Sequence, residues 1–368
     1  MRIAFDATVV RPPYSGVHYA VRNQLTALLD QFAKKEPVCF ASDCEVAVGL
    51  ARYPEISTHV QHNLAKVWRR VLWQQLRLPK LLKQYDCDRL LALAYTAPRK
   101  CSVPYTVQVH DTIALRCPKL CTWLNARHMR TLMPQSIRGA EHVITSADTV
   151  ADEIVALTGV DRQRVHVIPL GVDDLFLQPS LPVALPEAFQ ADQPYILFVG
   201  NIEPKKGLET LLDAFERVAK KSPVTLLLAG QPGWKCGALL KRIDQYRGPG
   251  TIRRLGYVDR ELLPALYEGA KLFVFPSVEE GFGLPVLEAM ARGTITIHSD
   301  HPVLCGTSGG IAATFPTGDA AALAAVIERH FSETGNSAEF ATRGREWAQA
   351  HTWQRWADAV ADATGYFS

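Results

Sequence analysis

Short apolar runs alternate with longer segments of mixed polarity along most of the chain. Eight of the runs have the length of a buried strand: RIAFDA (2–7), YTVQVH (105–110), HVITSA (142–147), VHVIPL (165–170), YILFVG (195–200), VTLLLAG (224–230), LFVFPS (272–277) and TITIHS (294–299). Between them, segments such as 210–221 repeat apolar residues at helical spacing. This order of strand, helix and strand predicts an α/β fold whose parallel sheets are covered by helices on both faces.

The alternation is interrupted at residues 177–194, where four prolines fall within eighteen residues. Because proline cannot donate a hydrogen bond to a helix or a strand ladder, this stretch is the best candidate for a linker. We expect two Rossmann-like domains, residues 1–178 and 186–350, that face each other across a cleft where a ligand binds. The tail contains Trp347, Trp353 and Trp356, and a last helix over 352–368 is expected to pack on an apolar surface, with the first domain as a candidate.

Charge and cysteine usage narrow the function classes. Forty basic and thirty-seven acidic residues leave a formal charge of +3, too balanced for the basic face that nucleic acid requires. The eight cysteines form no CxxC pair, which is typical of a protein with reduced thiols. The first residues lead directly into a strand rather than a signal peptide, and no apolar run approaches the ~20 residues of a membrane span. We therefore expect a cytoplasmic protein.

The most informative segment is FPSVEEGFGLPVLEAMARG (275–293), in which a strand leads through an acidic, glycine-bearing loop into a helix beginning near Leu284. Gly281 and Gly283 allow close approach of a ligand to the backbone, and the amides of the helix start favour an anion. Glu280 and Glu288 lie on either side of this anion site. Because carboxylates only accept hydrogen bonds, they suit the hydroxyls of a ribose and of a sugar. The alternative is a surface loop with acids beside a helix start.

A second segment, ILFVGNIEPKKGLETLLDAF (196–215), places two lysines after the end of a strand. At the carboxyl end of a sheet, Lys205 and Lys206 could stabilise a departing diphosphate. A lysine pair at the start of a helix is usually solvent-exposed and has no binding role. The pair therefore indicates a diphosphate site only together with the glutamate loop.

These two segments resemble the signature of family four of the retaining glycosyltransferases, which have the GT-B fold. The signature has two glutamates separated by seven residues, matched by Glu280 and Glu288. Four further segments are similar to the family: YSGVHYAVRNQL (14–25), VQVHDTIALRCP (107–118), VIPLGVD (167–173) and LGYVDRELLPALYEGAKLFVFPS (255–277). Trp73-Gln74-Gln75 corresponds to a WEQ-like segment of bacterial enzymes that build O-antigen and other surface polysaccharides. The matches span nearly the whole chain.

The resemblance implies a retaining transferase that moves a hexose from a nucleotide sugar to a glycan or lipid-linked acceptor, without a metal ion or further cofactor. GDP-mannose is the first expectation for the donor and a UDP-sugar the second. A sugar-nucleotide epimerase and a non-catalytic nucleotide-sugar-binding protein are the alternatives. Retention is ascribed to attack from the side of the leaving group, whose phosphate takes the proton of the acceptor.

The resemblance also assigns residues. Glu280 and His110 would lie at the transferred sugar, and Gly16 would approach the phosphates from the first domain. The donor-binding set would be Gly16, Asn201, Lys205, Lys206, Gly281, Phe282, Gly283, Leu284 and Glu288. Many members of the family have arginine at the position of Asn201, so one phosphate contact is absent or replaced.

Residues 66–83, KVWRRVLWQQLRLPKLLK, contain six basic residues and no acidic one. The residues Trp68, Val71, Leu72, Gln75 and Leu76 follow helical spacing, which predicts one basic amphipathic helix. Such a helix either lies in the interface of an anionic membrane, at the inner face of the cell membrane, or packs its apolar side into the first domain.

Two groups of residues are formal metal ligands. Asp86-Cys87-Asp88 resembles the DxD pair with which another glycosyltransferase fold holds a divalent cation, but it precedes an apolar run instead of following a strand. Cys117 and Cys121, with His110 and His128, lack the spacing of a zinc finger or ribbon. We therefore predict no metal site.

Overall fold

The computed structural model describes residues 1–11, 14–32, 35–42, 53, 56–61, 64, 66–179, 185–332 and 337–366. The chain divides into two compact units, one of Met1–Gly171 with Trp353–Ser368 and the other of Val172–Thr352. Residues 180–184 of the predicted linker and Cys44 lie outside the described residues.

In the described part of the first unit, seven parallel strands form one sheet in the order β3-β2-β1-β4-β5-β6-β7. The strands are β1 (Ile3–Ala7), β2 (Val38–Ala41), β3 (Ser57–Val60), β4 (Arg89–Ala92), β5 (Tyr105–Gln108), β6 (His142–Thr145) and β7 (Val165–Val167). The helices are α1 (Gly16–Phe32), α2 (Val67–Leu76), α3 (Leu78–Gln84), α4 (Ile113–Arg116), α5 (Trp123–Gly139) and α6 (Asp148–Thr158). The central strand β1 is buried along its whole length, as expected where helices cover both faces of a sheet.

The second unit has a six-stranded sheet in its described part, in the order β10-β9-β8-β11-β12-β13. The strands are β8 (Tyr195–Val199), β9 (Thr225–Ala229), β10 (Thr251–Gly256), β11 (Leu272–Phe275), β12 (Thr296–Ser299) and β13 (Ala313–Phe315). The helices are α7 (Asp174–Leu177), α8 (Leu208–Ala219), α9 (Gly237–Asp244), α10 (Leu263–Gly269), α11 (Leu284–Ala291), α12 (Pro302–Thr307), α13 (Ala320–Ser332) and α14 (Ser337–Gln349). Its strands also pair in parallel, so the carboxyl ends of β8 and β11, which are neighbours, lie at the same edge.

The predicted α/β class with two parallel sheets is confirmed. All eight strands read from the apolar runs are present, and the predicted helix at 210–221 corresponds to α8. Five strands were not predicted, namely β2, β3, β4, β10 and β13. For β10 the reason is local: its residues TIRRLG are partly or fully exposed at the edge of the sheet, so they carry no continuous apolar signal. This reason does not extend to β2 and β4, which are interior strands with mostly buried residues.

The tail forms two helices instead of one. Trp347 belongs to α14 in the second unit, where its indole N–H donates to the carbonyl of Thr307 over 2.8 Å. A separate helix, α15 (Trp353–Thr364), belongs to the first unit and packs against α1. Trp356 is buried there, and Gln31 of α1 donates to Asp358 of α15 over 2.6 Å.

The basic segment 66–83 also forms two helices instead of one, because α2 ends before Arg77 and α3 starts with Leu78 and Pro79. Proline is tolerated in the first turn of a helix, where its missing N–H leaves no bond unmade, but not in the interior. Trp68, Leu72 and Leu76 are 55%, 49% and 63% exposed, so for these three residues the interpretation that the apolar face packs into the first domain is wrong. Val71 and Gln75, from the same predicted face, are partly buried. No described helix combines the length and apolar character needed to cross a bilayer.

Candidate active site

The two segments singled out in the second half of the chain meet at one edge of its sheet. Strand β8 leads into the lysine turn, a short 3₁₀ helix at Pro204–Lys206, and the neighbouring β11 leads into the glutamate loop. The amide of Val278 donates to the carbonyl of Lys205 over 2.8 Å, which joins the two loops. Gly207 has φ +65°, and an added Cβ would lie 2.0 Å from the carbonyl oxygen of Pro276. Only glycine permits this contact.

Lys206 and Glu280 form an ion pair between the two loops. The same carboxylate oxygen of Glu280 accepts from the hydroxyl of Ser277 over 2.9 Å, and the Lys206 ammonium lies 4.7 Å from the centre of the Phe275 ring. Burial alone would raise the pKa of Glu280, but the charges of Lys206 and Lys205 and the two hydrogen bonds outweigh it and lower that pKa. Glu280 is therefore a carboxylate at neutral pH.

A second carboxylate lies beside the lysines and was missed by the sequence analysis. Glu203 is buried, and Asn201 donates to it over 3.4 Å. Burial raises the pKa of Glu203, although the charges of Lys205 and Lys206 oppose the rise. The residue stands inside the segment GNIEPKKGL, but nothing in that pattern distinguishes it from a solvent-exposed glutamate. The lysines are therefore not isolated cations, because carboxylates balance part of their charge.

Glu288 lies on α11 with both carboxylate oxygens hydrogen-bonded. One accepts from the Arg260 guanidinium over 3.0 Å, and the other accepts from the Tyr267 hydroxyl over 3.1 Å. Arg260 also pairs with Asp173 over 3.1 Å. Burial lowers the pKa of Arg260, but the two carboxylates outweigh it and raise that pKa. These partners fix the orientation of Glu288 while each oxygen keeps a lone pair for a ligand hydroxyl.

The start of α11 makes the amide of Leu284 a candidate donor to an anion. Val286 N–H already bonds to the carbonyl of Gly283 over 2.9 Å, and Pro285 has no N–H, so Leu284 supplies the available donor. Gly283 has φ +93°, and an added Cβ would lie 2.5 Å from Leu304. The Phe282 side chain is buried, so this residue, and Gly281 before it, can serve a ligand only through the backbone.

Two predicted residues belong to the first unit. His110 is buried after β5, and its Nε2 lies 3.0 Å from the carbonyl of Leu93. Burial lowers the pKa of His110, although that hydrogen bond and Asp111 oppose the change. Because a carbonyl only accepts, Nε2 carries the proton and Nδ1 is the acceptor. Gly16 opens α1, and among the described residues no atom lies within 4 Å of an added Cβ, so their packing does not require glycine there.

Two family models together cover most of the chain. Glycosyltransferase Family 4 matches residues 15–174, and Glycosyl transferases group 1 matches residues 186–347. The chain belongs to the family 4 glycosyltransferases.

Curated relatives of this family 4 chain include O-antigen mannosyltransferases. The chain is 30% identical to O-antigen chain mannosyltransferase B of Escherichia coli over 67% of this chain and 66% of that protein. It is 28% identical to O-antigen chain mannosyltransferase RfbU of Salmonella typhimurium over 54% of this chain and 52% of that protein. The alignments thus span between about half and two thirds of these relatives.

A solved structure shares the fold of this family 4 chain over its full length. HepE from Anabaena, crystallised with UDP and glucose, superposes with a TM-score of 0.72 over 99% of both chains, at 18% identity. At that identity the likeness establishes the GT-B fold and nothing more specific.

The formal metal ligands are not assembled into a site. Asp88 accepts a hydrogen bond from the backbone N–H of Arg2 over 2.6 Å. Within the described ranges, no three His, Cys, Asp or Glu side chains are grouped to hold an ion.

Proposed function

We propose that this family 4 chain is a retaining hexosyltransferase that moves mannose from GDP-mannose to a glycan or lipid-linked acceptor. The observation that carries the proposal is the junction of the lysine turn and the glutamate loop, joined by the ion pair of Lys206 with Glu280 and the backbone bond from Val278 to Lys205. The mannosyltransferase relatives support the choice of sugar and, through it, of GDP as the nucleotide.

The donor is expected to extend along this edge of the sheet. Glu288, oriented by Arg260 and Tyr267, accepts from the two ribose hydroxyls. The ammonium groups of Lys205 and Lys206 and the amide of Leu284 stabilise the diphosphate as it departs. Glu280 accepts from hydroxyls of the transferred sugar. The roles assigned to Gly16, Asn201 and His110 stay predictions on the same footing.

The chemistry follows from these roles. As the bond between the sugar and the phosphate lengthens, the sugar approaches an oxocarbenium ion and negative charge builds on the diphosphate. The acceptor hydroxyl attacks from the side of the leaving group, and a phosphate oxygen takes its proton. We infer that the lysines supply the cationic stabilisation that a metal ion gives in other transferases. Turnover is then expected to persist in EDTA, and a loss restored by Mg²⁺ or Mn²⁺ would contradict this inference.

The experiment for the donor is a thermal-shift panel of GDP, UDP, GDP-mannose and UDP-glucose, because a ligand that binds only the folded state raises its Tm. GDP and GDP-mannose are expected to give the largest rise. A rise in Tm with the UDP ligands alone would indicate a UDP-sugar as the donor instead of GDP-mannose. No rise with any of the four ligands would refute the proposal.

Donor turnover separates the alternatives. Incubated with GDP-mannose alone, a transferase slowly releases free mannose and GDP, whereas an epimerase returns a new GDP-sugar and a binding protein leaves the donor intact. Chromatography of the nucleotides distinguishes the three. Retention is tested by the anomeric configuration of the product in its NMR spectrum, once an acceptor is found.

We infer in addition that α2 contacts an anionic membrane. Trp68, Leu72 and Leu76 recur every four residues and are exposed along one side of the helix. The six basic residues of 66–83 give the segment the charge that such a surface attracts.

Flotation with anionic vesicles at low salt tests this contact. The native protein is expected to float, and the double variant Trp68→Ser/Leu72→Ser is expected not to. Leu157→Ser, which removes an exposed leucine from α6, is the matched control and should float like the native protein. Failure of the native protein to float, or equal flotation of all three, contradicts the inference.

A further inference from the structure

Tyr95, in the loop after β4, has an unusual backbone conformation for a bulky residue. Its φ is +58°, in the left-handed region that a large side chain adopts only at a cost and where the surrounding contacts enforce it. Strand β4 pairs in parallel with β5, so the carboxyl ends of both strands lie at the same edge of the sheet. The contacts that hold Tyr95 are made with the residues that end and follow β5.

Three contacts join Tyr95 to residues 108–111. Its backbone N–H donates to the carbonyl of Gln108 over 2.7 Å. Its ring meets the ring of His110 edge to face, with 5.4 Å between the two centres. Its hydroxyl donates to one carboxylate oxygen of Asp111 over 2.7 Å. Because it is bonded on both sides of His110 in the sequence, the Tyr95 ring is fixed beside the imidazole.

The partners of this contact are themselves held in place. The carbonyl of Leu93, which also follows β4, accepts from Nε2 of the buried His110 over 3.0 Å. The other oxygen of Asp111 accepts from the backbone N–H of Ile113, in the first turn of α4, over 3.0 Å. The carbonyl of Leu93 thus selects the tautomer of His110, and the ring of Tyr95 restricts rotation of the imidazole.

We propose that Tyr95 is a positioning residue, which holds His110 in the tautomer and orientation whose Nδ1 accepts from a hydroxyl of the transferred sugar. The inference rests on the proposed function, which puts His110 at that sugar. If the imidazole rotated, Nε2 would lose the carbonyl of Leu93 and either nitrogen would carry the proton, so only some of the molecules would offer an acceptor. Because preorganised contacts act most strongly in the transition state, the loss should appear in kcat rather than in the KM of the donor.

Two substitutions at position 95 separate the ring from the hydroxyl. Tyr95→Gly removes both, while glycine adopts the left-handed backbone without strain. Tyr95→Phe keeps the ring and loses only the bond to Asp111. The matched control is Tyr105→Phe, which removes a hydroxyl from β5 that donates to the carbonyl of Ser136 over 2.8 Å. The Tm of each variant is measured first, and Tyr95→Asn replaces a glycine variant that does not fold, since asparagine also tolerates this backbone.

Long-range ¹H–¹⁵N NMR spectra of the histidine side chains report the tautomer of His110, whose signals are identified by their absence from His110→Asn. The native protein, Tyr95→Phe and Tyr105→Phe are expected to show one form with the proton on Nε2. Tyr95→Gly is expected to show a mixture of both tautomers. A single native tautomer in Tyr95→Gly would overturn the proposal. This measurement needs no substrate, so its outcome is independent of the proposed donor.

Steady-state release of GDP from GDP-mannose tests whether the orientation of His110 matters for the reaction. Tyr95→Gly is expected to lower kcat by about tenfold or more and to leave the KM of the donor within about twofold. Tyr95→Phe, which loses one hydrogen bond, should lower kcat by about three- to tenfold, and Tyr105→Phe should keep native kinetics. A native kcat in Tyr95→Gly, or a change in KM alone, would contradict the positioning role.

Failure of the donor proposal has a separate signature. If the native protein releases no GDP from GDP-mannose, the comparison of Tyr95→Gly with Tyr105→Phe is repeated with the UDP-sugar that raises the Tm. A lower kcat in Tyr95→Gly with that donor supports the role of Tyr95 and replaces only the nucleotide. Absence of turnover with every donor refutes the proposed function and the role of Tyr95 in it, even where the NMR spectra show that Tyr95 orients His110.

Discussion

Glutamine at position 280 removes one negative charge from the junction of the lysine turn and the glutamate loop while keeping the size of the side chain. In the native protein, one oxygen of Glu280 accepts from both Lys206 and Ser277. The proposed function assigns the other oxygen to a hydroxyl of the transferred sugar. In the variant, the amide oxygen can take over the bonds to the lysine and the serine. The amide NH₂ then faces the substrate, where a hydroxyl that needs an acceptor meets a donor.

The size of the effect follows from that exchange. A hydrogen bond to a charged group contributes about 1.5–3 kcal/mol. Because about 1.4 kcal/mol corresponds to a factor of ten in rate, Glu280→Gln is expected to lower kcat by roughly 10- to 150-fold. The loss should fall on kcat more than on the KM of the donor, since the developing positive charge on the sugar strengthens the interaction in the transition state.

The assay is steady-state release of GDP from GDP-mannose, with and without acceptor. Glu279→Gln, which makes the same chemical change one residue earlier, is the control and should keep native kinetics. Glu279 faces His301 at 3.7 Å, away from the Lys206 pair. A Glu280→Gln enzyme that folds and turns over within about threefold of the native rate would refute the role assigned to this carboxylate.

Three further predictions use other parts of the molecule. Tyr267→Phe removes one hydrogen-bond donor from the buried Glu288. The KM for the nucleotide sugar should then rise about fivefold or more, and the free energy of unfolding should fall by about 1–3 kcal/mol, measured as a lower Tm. Native values of both KM and Tm would contradict the orienting role of Tyr267. Gly16→Ala meets no packing obstacle, so its Tm should match the native value while kcat/KM falls at least about tenfold if phosphates approach this backbone; unchanged kinetics would remove Gly16 from the site. Because the folded-state pKa of Glu280 is held below its ordinary value of 4.5, the stability it contributes is present above that pH and lost as the pH falls through the lowered value. The Tm difference between the native protein and Glu280→Gln should therefore shrink on acidification below pH 4.5, and a difference independent of pH would show that the ion pair adds no stability.

The apolar runs were sufficient to predict the two parallel sheets, because a strand buried on both faces is apolar at every position. The edge strand β10 was not predicted, because its exposed positions carry arginines. The interior strands β2 and β4 were also missed, although their residues are mostly buried. The boundary between α2 and α3 was not predicted, because proline occurs both as a helix breaker and in the first turn of a helix. Pro79 was placed inside one basic helix, but it lies in the first turn of α3.

The sequence predicted which segments carry the candidate site, but not the contacts between them. Glu280 and Lys206 could be named because each stands beside glycines that mark a ligand loop. Their mutual ion pair could not, because it depends on β8 and β11 being neighbours in the sheet. Arg260 and Tyr267 carry no local signal either, since both stand in an ordinary helical segment and reach Glu288 only through the fold.

Under the proposed function, the ion pair of Lys206 with Glu280 is expected to disfavour the binding of small anions. Orthophosphate, which is abundant in cells, must compete with a tethered carboxylate for the lysine and brings no ribose to Glu288 in return. A nucleotide sugar offers hydroxyls to both glutamates as well as charge to the lysines. After sugar transfer, the proposed roles predict that Glu280 loses its ligand and pairs again with the Lys206 ammonium, which would favour release of the nucleoside diphosphate.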